Sequence, residues 1–238
     1  GKAQQLSVMT LRNGATVYIW EDKSKPDVFG MIAFKVGSVD DPEQYTGLAH
    51  YLEHVMFKGT QTIDALDWEK EKPIYEKIIA KYDERAALSD PAAREAVDKE
   101  INDLTREAAQ YAAGNEFSLL VDHMGGQGLN ASTGYDQTEY HNSFPPSQLE
   151  KWLEIYSERL IDPVFRGFQT ELEAVYEEYN MYNDDRGSRM REFIYEQAFG
   201  DHPYARPIIG LPEHLKNPQL SKLIDFYNTW YGPQNMSI

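Results

Sequence analysis

His50-Tyr51-Leu52-Glu53-His54 sets two imidazoles and a carboxylate within one helical turn. Four residues apart on a helix, His50 and His54 stack on one face, about 6 Å from each other. Two neutral imidazoles so placed can share one Zn²⁺ at ~2.0–2.1 Å each. Glu53, beside His54, can reach a water on the metal without being a ligand. The set is two ligands plus a general base, the HExxH pattern with its order inverted, and its chemistry is metal-assisted hydrolysis. A lone histidine on a helix is ordinarily a surface or satisfied core residue, so the flanks matter. Thr46-Gly47 can cap and open the helix, Leu48, Leu52, Val55 and Met56 give it an apolar stripe, and Gly59-Thr60 can end it.

A catalytic zinc takes three protein ligands and keeps one position for water. Candidates for the third lie in the acidic stretch Glu171-Leu172-Glu173-Ala174-Val175-Tyr176-Glu177-Glu178. Glu171 and Glu178, seven apart, share one helical face; Glu173 and Glu177, four apart, share another. One pair should face the site and the other water. An acidic helix is by default a solvated one, and chemistry alone does not choose among these carboxylates.

Strands lead into the histidine helix. Val8 to Arg12 and Ala15 to Trp20 flank Asn13-Gly14, a strong hairpin signal. Val28 to Val36 reads as a buried strand. From Asp64 to Ala113 the chain turns rich in Glu, Lys and Ala. Tyr75, Ile79, Tyr82 and Ala86 form one helical stripe; Val97, Ile101, Leu104, Ala108 and Tyr111 form another. Asp90-Pro91 between them looks like an N-cap with proline at the first helical position. This predicts an antiparallel helical hairpin over 64–113, read as a packed spacer in preference to a partner-binding arm. Gly125 to Gly128 marks a turn, and Leu129 to Thr133 and Gln137 to Ser143 read as short strands. Helices are expected from Pro145 to Leu160, Gln169 to Asn183, Arg189 to Phe199 and Ser221 to Trp230. His123, His141, His202 and His214 have no ligand-spaced partner and read as structural or exposed.

The 238 residues allow one large domain or two small ones. With 39 acidic and 23 basic residues the net charge is -16, which would repel a phosphate backbone and makes nucleic acid a poor partner. No apolar run approaches the roughly 20 residues of a membrane span. Cysteine is absent, which excludes disulfides and thiolate metal sites. The chain opens Gly1-Lys2 and closes on Met236-Ser237-Ile238, which reads as the start of a strand, so a piece of a longer protein is expected.

The stretch Thr46-Gly47-Leu48-Ala49-His50-Tyr51-Leu52-Glu53-His54-Val55-Met56-Phe57-Lys58-Gly59-Thr60 resembles the signature of the insulinase/pitrilysin zinc peptidases, a family that includes the mitochondrial processing peptidases. The family's later pair of glutamates, seven apart, maps onto Glu171 and Glu178. Asn130-Ala131-Ser132-Thr133 resembles its substrate-facing edge strand, and Tyr231 to Met236 the segment leading into a further strand. The likeness runs from about Leu11 to the end. It implies Zn²⁺ held by His50, His54 and Glu178, with Glu53 as general base. Glu171 would accept a ligand histidine's free ring N–H. Peptide substrate would lie along Asn130, Ala131 and Ser132. The resemblance also implies an α+β fold, an antiparallel or mixed sheet with helices mainly on one face, the 64–113 hairpin being an insertion in one zinc-binding domain spanning 1–238. A second, similarly folded domain or subunit would supply an Arg and a Tyr to substrate. The activity implied is a zinc endopeptidase on peptides or small unfolded polypeptides. The alternative is a non-catalytic peptide-binding or assembly subunit. Similar bacterial proteins are often exported, which favours the periplasm or cell envelope over the cytoplasm.

Overall fold

Asn13-Gly14 makes the first turn: Gly14 takes φ +93°, and the Asn13 side chain accepts from Ala15 N at 3.1 Å. In the computed structural model, which describes residues 5–238, this turn joins β1 (Leu6–Thr10) to β2 (Thr16–Trp20). The opening Gly1-Lys2 lies outside the described residues. With β3 (Val28–Phe34), β4 (Gln127–Thr133), β5 (Thr138–Phe144) and β6 (Met236–Ser237) they form one sheet, ordered β1-β2-β6-β3-β5-β4. Neighbours are antiparallel except β2 and β6, which are parallel, so the sheet is mixed. β4 is an edge.

Burial alternates along the inner strands, as a sheet with one covered face requires. Ile32 and Phe34 of β3, and Tyr140 and Phe144 of β5, point into the core, while Phe29 is exposed. Gly30 lets a tryptophan lie flat on this face; a Cβ there would come within 2.5 Å of Trp152. Trp152, Ile155 and Tyr156 belong to α5 (Leu149–Arg159), which packs over β3 and β5. The buried Asn142 side chain accepts from both Trp152 Nε1 (3.0 Å) and the Tyr156 hydroxyl (2.6 Å), which settles its carbonyl inside the core.

The other helices among the described residues are α1 (Leu48–Val55), α2 (Trp68–Ala87), α3 (Pro91–Ala109), α4 (Glu116–His123), α6 (Phe168–Asp184), α7 (Arg186–Phe199), α8 (Pro212–Leu215) and α9 (Leu220–Trp230). α2 and α3 are the expected hairpin. Asp67 caps α2 by accepting from Lys70 N, and Asp90 caps α3 by accepting from Ala93 N, with Pro91 following. The buried face of α2 differs from the expected stripe: Glu71, Ile74, Ile78 and Tyr82 are buried, whereas Tyr75, Ile79 and Ala86 are half-buried. α2 packs against both α3 and the main body, so its covered arc is wider than one stripe and centred a residue earlier. α4 and the short α8 were not anticipated. α4 opens at Asn115 in a left-handed conformation (φ +59°), and reciprocal hydrogen bonds between Asp64 and Glu116 anchor it across the chain. α5 begins later than expected because Pro146–Gln148 form a 3-10 turn first.

Candidate metal centre

α1 is held from outside its own sequence. Gly47 opens it at φ +89°, where a Cβ would come within 2.6 Å of the Ile209 carbonyl. The capping carboxylate is Asp41, which accepts from Gly47 N (2.8 Å) and Ala49 N (2.9 Å). Burial pushes the Asp41 carboxyl up to about 7, against those two bonds and the charge of Arg206. Thr46 does not cap the helix as expected. Its hydroxyl accepts from Leu211 N (2.9 Å) and lies 2.7 Å from His214 Nδ1, so His214 is a structural partner of this loop.

α6 docks on α1 through apolar positions. Phe168, Leu172 and Val175 are buried, the Tyr51 and Phe168 rings sit 4.9 Å apart, and the Tyr51 hydroxyl donates to the Phe168 carbonyl. Glu171 and Glu178 flank that stripe and therefore turn toward the histidines, while Glu173 and Glu177 are exposed.

The result is a tight triangle. His50 Nε2 and His54 Nε2 are 3.3 Å apart; Glu178 oxygens lie 3.3 Å from His50 Nε2 and 3.6 Å from His54 Nε2. A tetrahedral ion with bonds of ~2.0–2.1 Å separates its ligand atoms by about 3.3–3.4 Å. The two imidazole nitrogens match that separation, Glu178 meets them with one oxygen each (Oε2 at His50, Oε1 at His54), and the three residues form a group that could hold a metal ion. His54 Nδ1 lies 3.3 Å from Glu171, whose other oxygen pairs with Lys58 Nζ at 2.6 Å. His50 Nδ1 is buried with no hydrogen-bond partner among the described residues, so no second carboxylate braces that ring as Glu171 braces His54.

The charges respond to this crowding. Burial drives the His54 pKa down, but the Glu171 hydrogen bond and the charges of Glu178 and Glu53 outweigh it, leaving the value above the ordinary 6.5. Half-burial opposes ionisation of Glu171, yet His54 and Lys58 hold its carboxyl below the usual range. The hydrogen bond from His50 holds Glu178 low as well.

The triangle opens into a cleft of about 710 Å³ that Glu53 and Asn130, Ala131, Ser132 and Thr133 of β4 also line. Thr133 Oγ1 donates to Glu53 at 2.6 Å, tying the carboxylate to the edge strand. Every expected site residue therefore meets in one cleft. The sequence reading missed Lys58, Thr133 and a group of cleft-lining tyrosines, among them Tyr135, Tyr182, Tyr195 and Tyr204. Lys58 had a signal, four positions after His54; the tyrosines, scattered from residue 135 to 204, had none. Of the remaining histidines, His202 accepts from Tyr204 N, His141 packs on Phe29 at 5.2 Å and His123 is exposed.

Residues 16–72 and 95–211 match the family described as Insulinase (Peptidase family M16). The chain belongs to the insulinase family. The break in the match falls in the α2–α3 hairpin. The zinc protease PqqE of Helicobacter pylori is 25% identical over 231 residues, covering 95% of this chain and 41% of the relative. An uncharacterized zinc protease of Mycobacterium leprae is 25% identical over 205 residues, covering 85% and 35%. The chain thus spans less than half the length of these insulinase-family relatives. Among solved structures, a protease from Helicobacter pylori superposes with a TM-score of 0.73 at 23% identity, covering 98% of this chain and 45% of that one. The first half of the Escherichia coli periplasmic protease PqqL gives 0.70 at 23%, covering 98% and 41%. The mixed sheet with its helices is therefore the fold of this family. Among the described residues no helix is long and apolar enough to cross a membrane.

Proposed function

We propose that this chain is the zinc-binding part of a metalloendopeptidase. The observation that carries the reading is the convergence of His50 Nε2, His54 Nε2 and the Glu178 carboxylate, the nitrogens 3.3 Å apart, Glu178 Oε2 3.3 Å from His50 and Oε1 3.6 Å from His54, facing a cleft that also holds the Glu53 carboxylate and a sheet edge. His50, His54 and Glu178 would hold Zn²⁺. Zinc bound there would acidify a water and polarise a scissile carbonyl. Glu53 takes the water's proton and later delivers it to the leaving amine. Thr133, donating to Glu53, keeps that carboxylate aimed into the cleft. Glu171, braced by Lys58, fixes the His54 tautomer with the proton on Nδ1, leaving Nε2 free to ligate. An extended peptide adds to the edge strand β4 at Asn130, Ala131 and Ser132, where main-chain hydrogen bonds give affinity without strict sequence demand.

The relatives are about twice as long or longer, which supports a second homologous domain or subunit completing the chamber, with α2–α3 as an insertion in this one. The periplasmic location of PqqL supports a periplasmic or envelope setting. A non-catalytic peptide-binding subunit would have no need of Glu53 beside a complete ligand set.

The deciding experiment replaces Glu53 by Gln in the full-length protein. Zinc content should stay unchanged while peptide hydrolysis falls by roughly 10²–10⁴-fold. Turnover that survives the change defeats the assignment of Glu53 as base.

A further inference from the structure

Arg159, the last residue of α5, is a buried cation with no carboxylate partner. It is 2% exposed. Its Nε donates to the Met56 carbonyl at 3.2 Å, just past the end of α1. Nη1 and Nη2 have no hydrogen-bond partner. Instead the guanidinium carbon lies 4.5 Å from the centre of the Phe57 ring, 4.3 Å from Phe117, 4.4 Å from Tyr140 and 5.4 Å from Tyr156. Cation–π contacts in a dry site can offset part of the cost of desolvating the ion. An aliphatic side chain would fill the same space with no such loss, so stability alone does not account for an arginine here.

The cage walls show what the charge could do. Phe57 follows the metal helix and also lines the cleft. Tyr140, on β5, pairs in register with Ala131 of β4. Arg159 therefore bridges the end of the helix carrying Glu53 and the strand beneath the one where the peptide would lie. It does not itself line the cleft. Burial holds the Arg159 pKa below its ordinary value, and the charge of Glu53 is among the lesser influences that act the other way.

We propose that Arg159 is a positioning residue for hydrolysis, clamped between the end of α1 and β5 so as to set the spacing between Glu53 and the β4 edge. This rests on the peptidase reading above. Small errors in such a spacing act on the chemical step more than on binding.

The test uses Arg159→Met and Arg159→Lys in the full-length natural protein. Thermal stability, zinc per chain, kcat and KM on a quenched fluorescent peptide, and amide exchange are measured. Arg159→Met should fold and keep its zinc, hold KM within about threefold, and lose at least about tenfold in kcat, with partial recovery in Arg159→Lys. Exchange should quicken by about tenfold at residues 53–58 and 129–133 while the rest of the core stays protected. A kcat within about twofold of the unchanged protein, a kcat loss that only tracks zinc loss, or unaltered exchange overturns the proposal. If Arg159→Met does not fold, Arg159→Lys decides: a drop of about threefold or more in kcat at unchanged zinc and KM supports the clamp, and unchanged kinetics overturns it. An unchanged protein that loads zinc but cleaves no peptide defeats the peptidase reading instead, and the exchange measurement then decides on the clamp.

Discussion

His54 is the side chain on which the site's charges converge. Its Nε2 faces Glu178 and its Nδ1 faces Glu171, and together with Glu53 they raise its pKa above 6.5. In the metal-free protein the protonated ring therefore gains its ion pairs in acid, and that stabilisation is lost as pH rises through the raised value. Zinc needs the neutral ring, so its affinity runs the opposite way. Below that value the zinc Kd should weaken by roughly tenfold per pH unit, starting on the alkaline side of 6.5. A Kd that stays flat from pH 8 to 6 contradicts this. Glu178→Gln should weaken zinc by more than about a hundredfold, Glu171→Gln by about 10–100-fold, and Glu177→Gln scarcely at all. Isothermal titration on the three variants orders them, and the reverse order for Glu177 and Glu178 would move the ligand by one residue. His50, Glu53 and His54 were legible because the geometry linking them is local to one turn. From chemistry alone Glu178 was one of several carboxylates, because its choice depends on how α6 docks; the family resemblance singled it out. Thr133 was placed on the edge strand, but its bond to Glu53 gave no sign, since a threonine in a strand is ordinary until its neighbour is known.

The α2–α3 hairpin is fastened to the body by one buried ion pair. Glu71, 1% exposed, accepts from Arg166 at both oxygens (2.6 and 2.8 Å), and Arg166 Nη1 also donates to the Lys58 and Ile63 carbonyls. Those carbonyls belong to the loop that leaves the metal helix. Removing one partner of such a pair strands the other charge in the interior. Glu71→Ala should therefore cost about 3–5 kcal/mol in urea unfolding, and a loss below about 1 kcal/mol would show that the guanidinium finds water. Replacing Glu71 and Arg166 together by apolar residues should restore much of the stability. The hairpin itself could be read from its stripes, its caps and Asp90-Pro91. Its anchor could not, because Glu71 looks like any acidic residue of a helix's first turn. α4 was missed for a similar reason: eight residues give too little periodicity, and its start depends on a contact between Asp64 and Glu116.

At the scale of the molecule, a metal held as proposed would join elements far apart in sequence, with His50 and His54 from α1 and Glu178 from α6. Binding zinc to the folded form alone should raise its stability by about 2.7 kcal/mol at a free concentration 100 times Kd, or roughly 5–10 °C in Tm. Chelation should reverse the shift, and the Glu178→Gln variant should show none of it. A Tm indifferent to zinc in the unchanged protein would speak against a preformed site. Most strands were legible from alternation and turn residues, while their arrangement as an α+β fold came from the family resemblance. The strand order was not. β6 lies between β2 and β3, a pairing that no local pattern encodes.

That pairing has a consequence for synthesis. Ser237 faces Thr16 on one side and Ala33 on the other, and Tyr18 N and the Thr16 carbonyl bond to Ile238 at 2.7 and 2.8 Å. At about 5–20 residues per second, a ribosome delivers these closing residues roughly 10–40 s after the second strand. Until then the first hairpin has no strand to join it to β3. A pause shortly before residue 236 would leave a nascent chain with its histidine pair already made and its sheet still in two pieces.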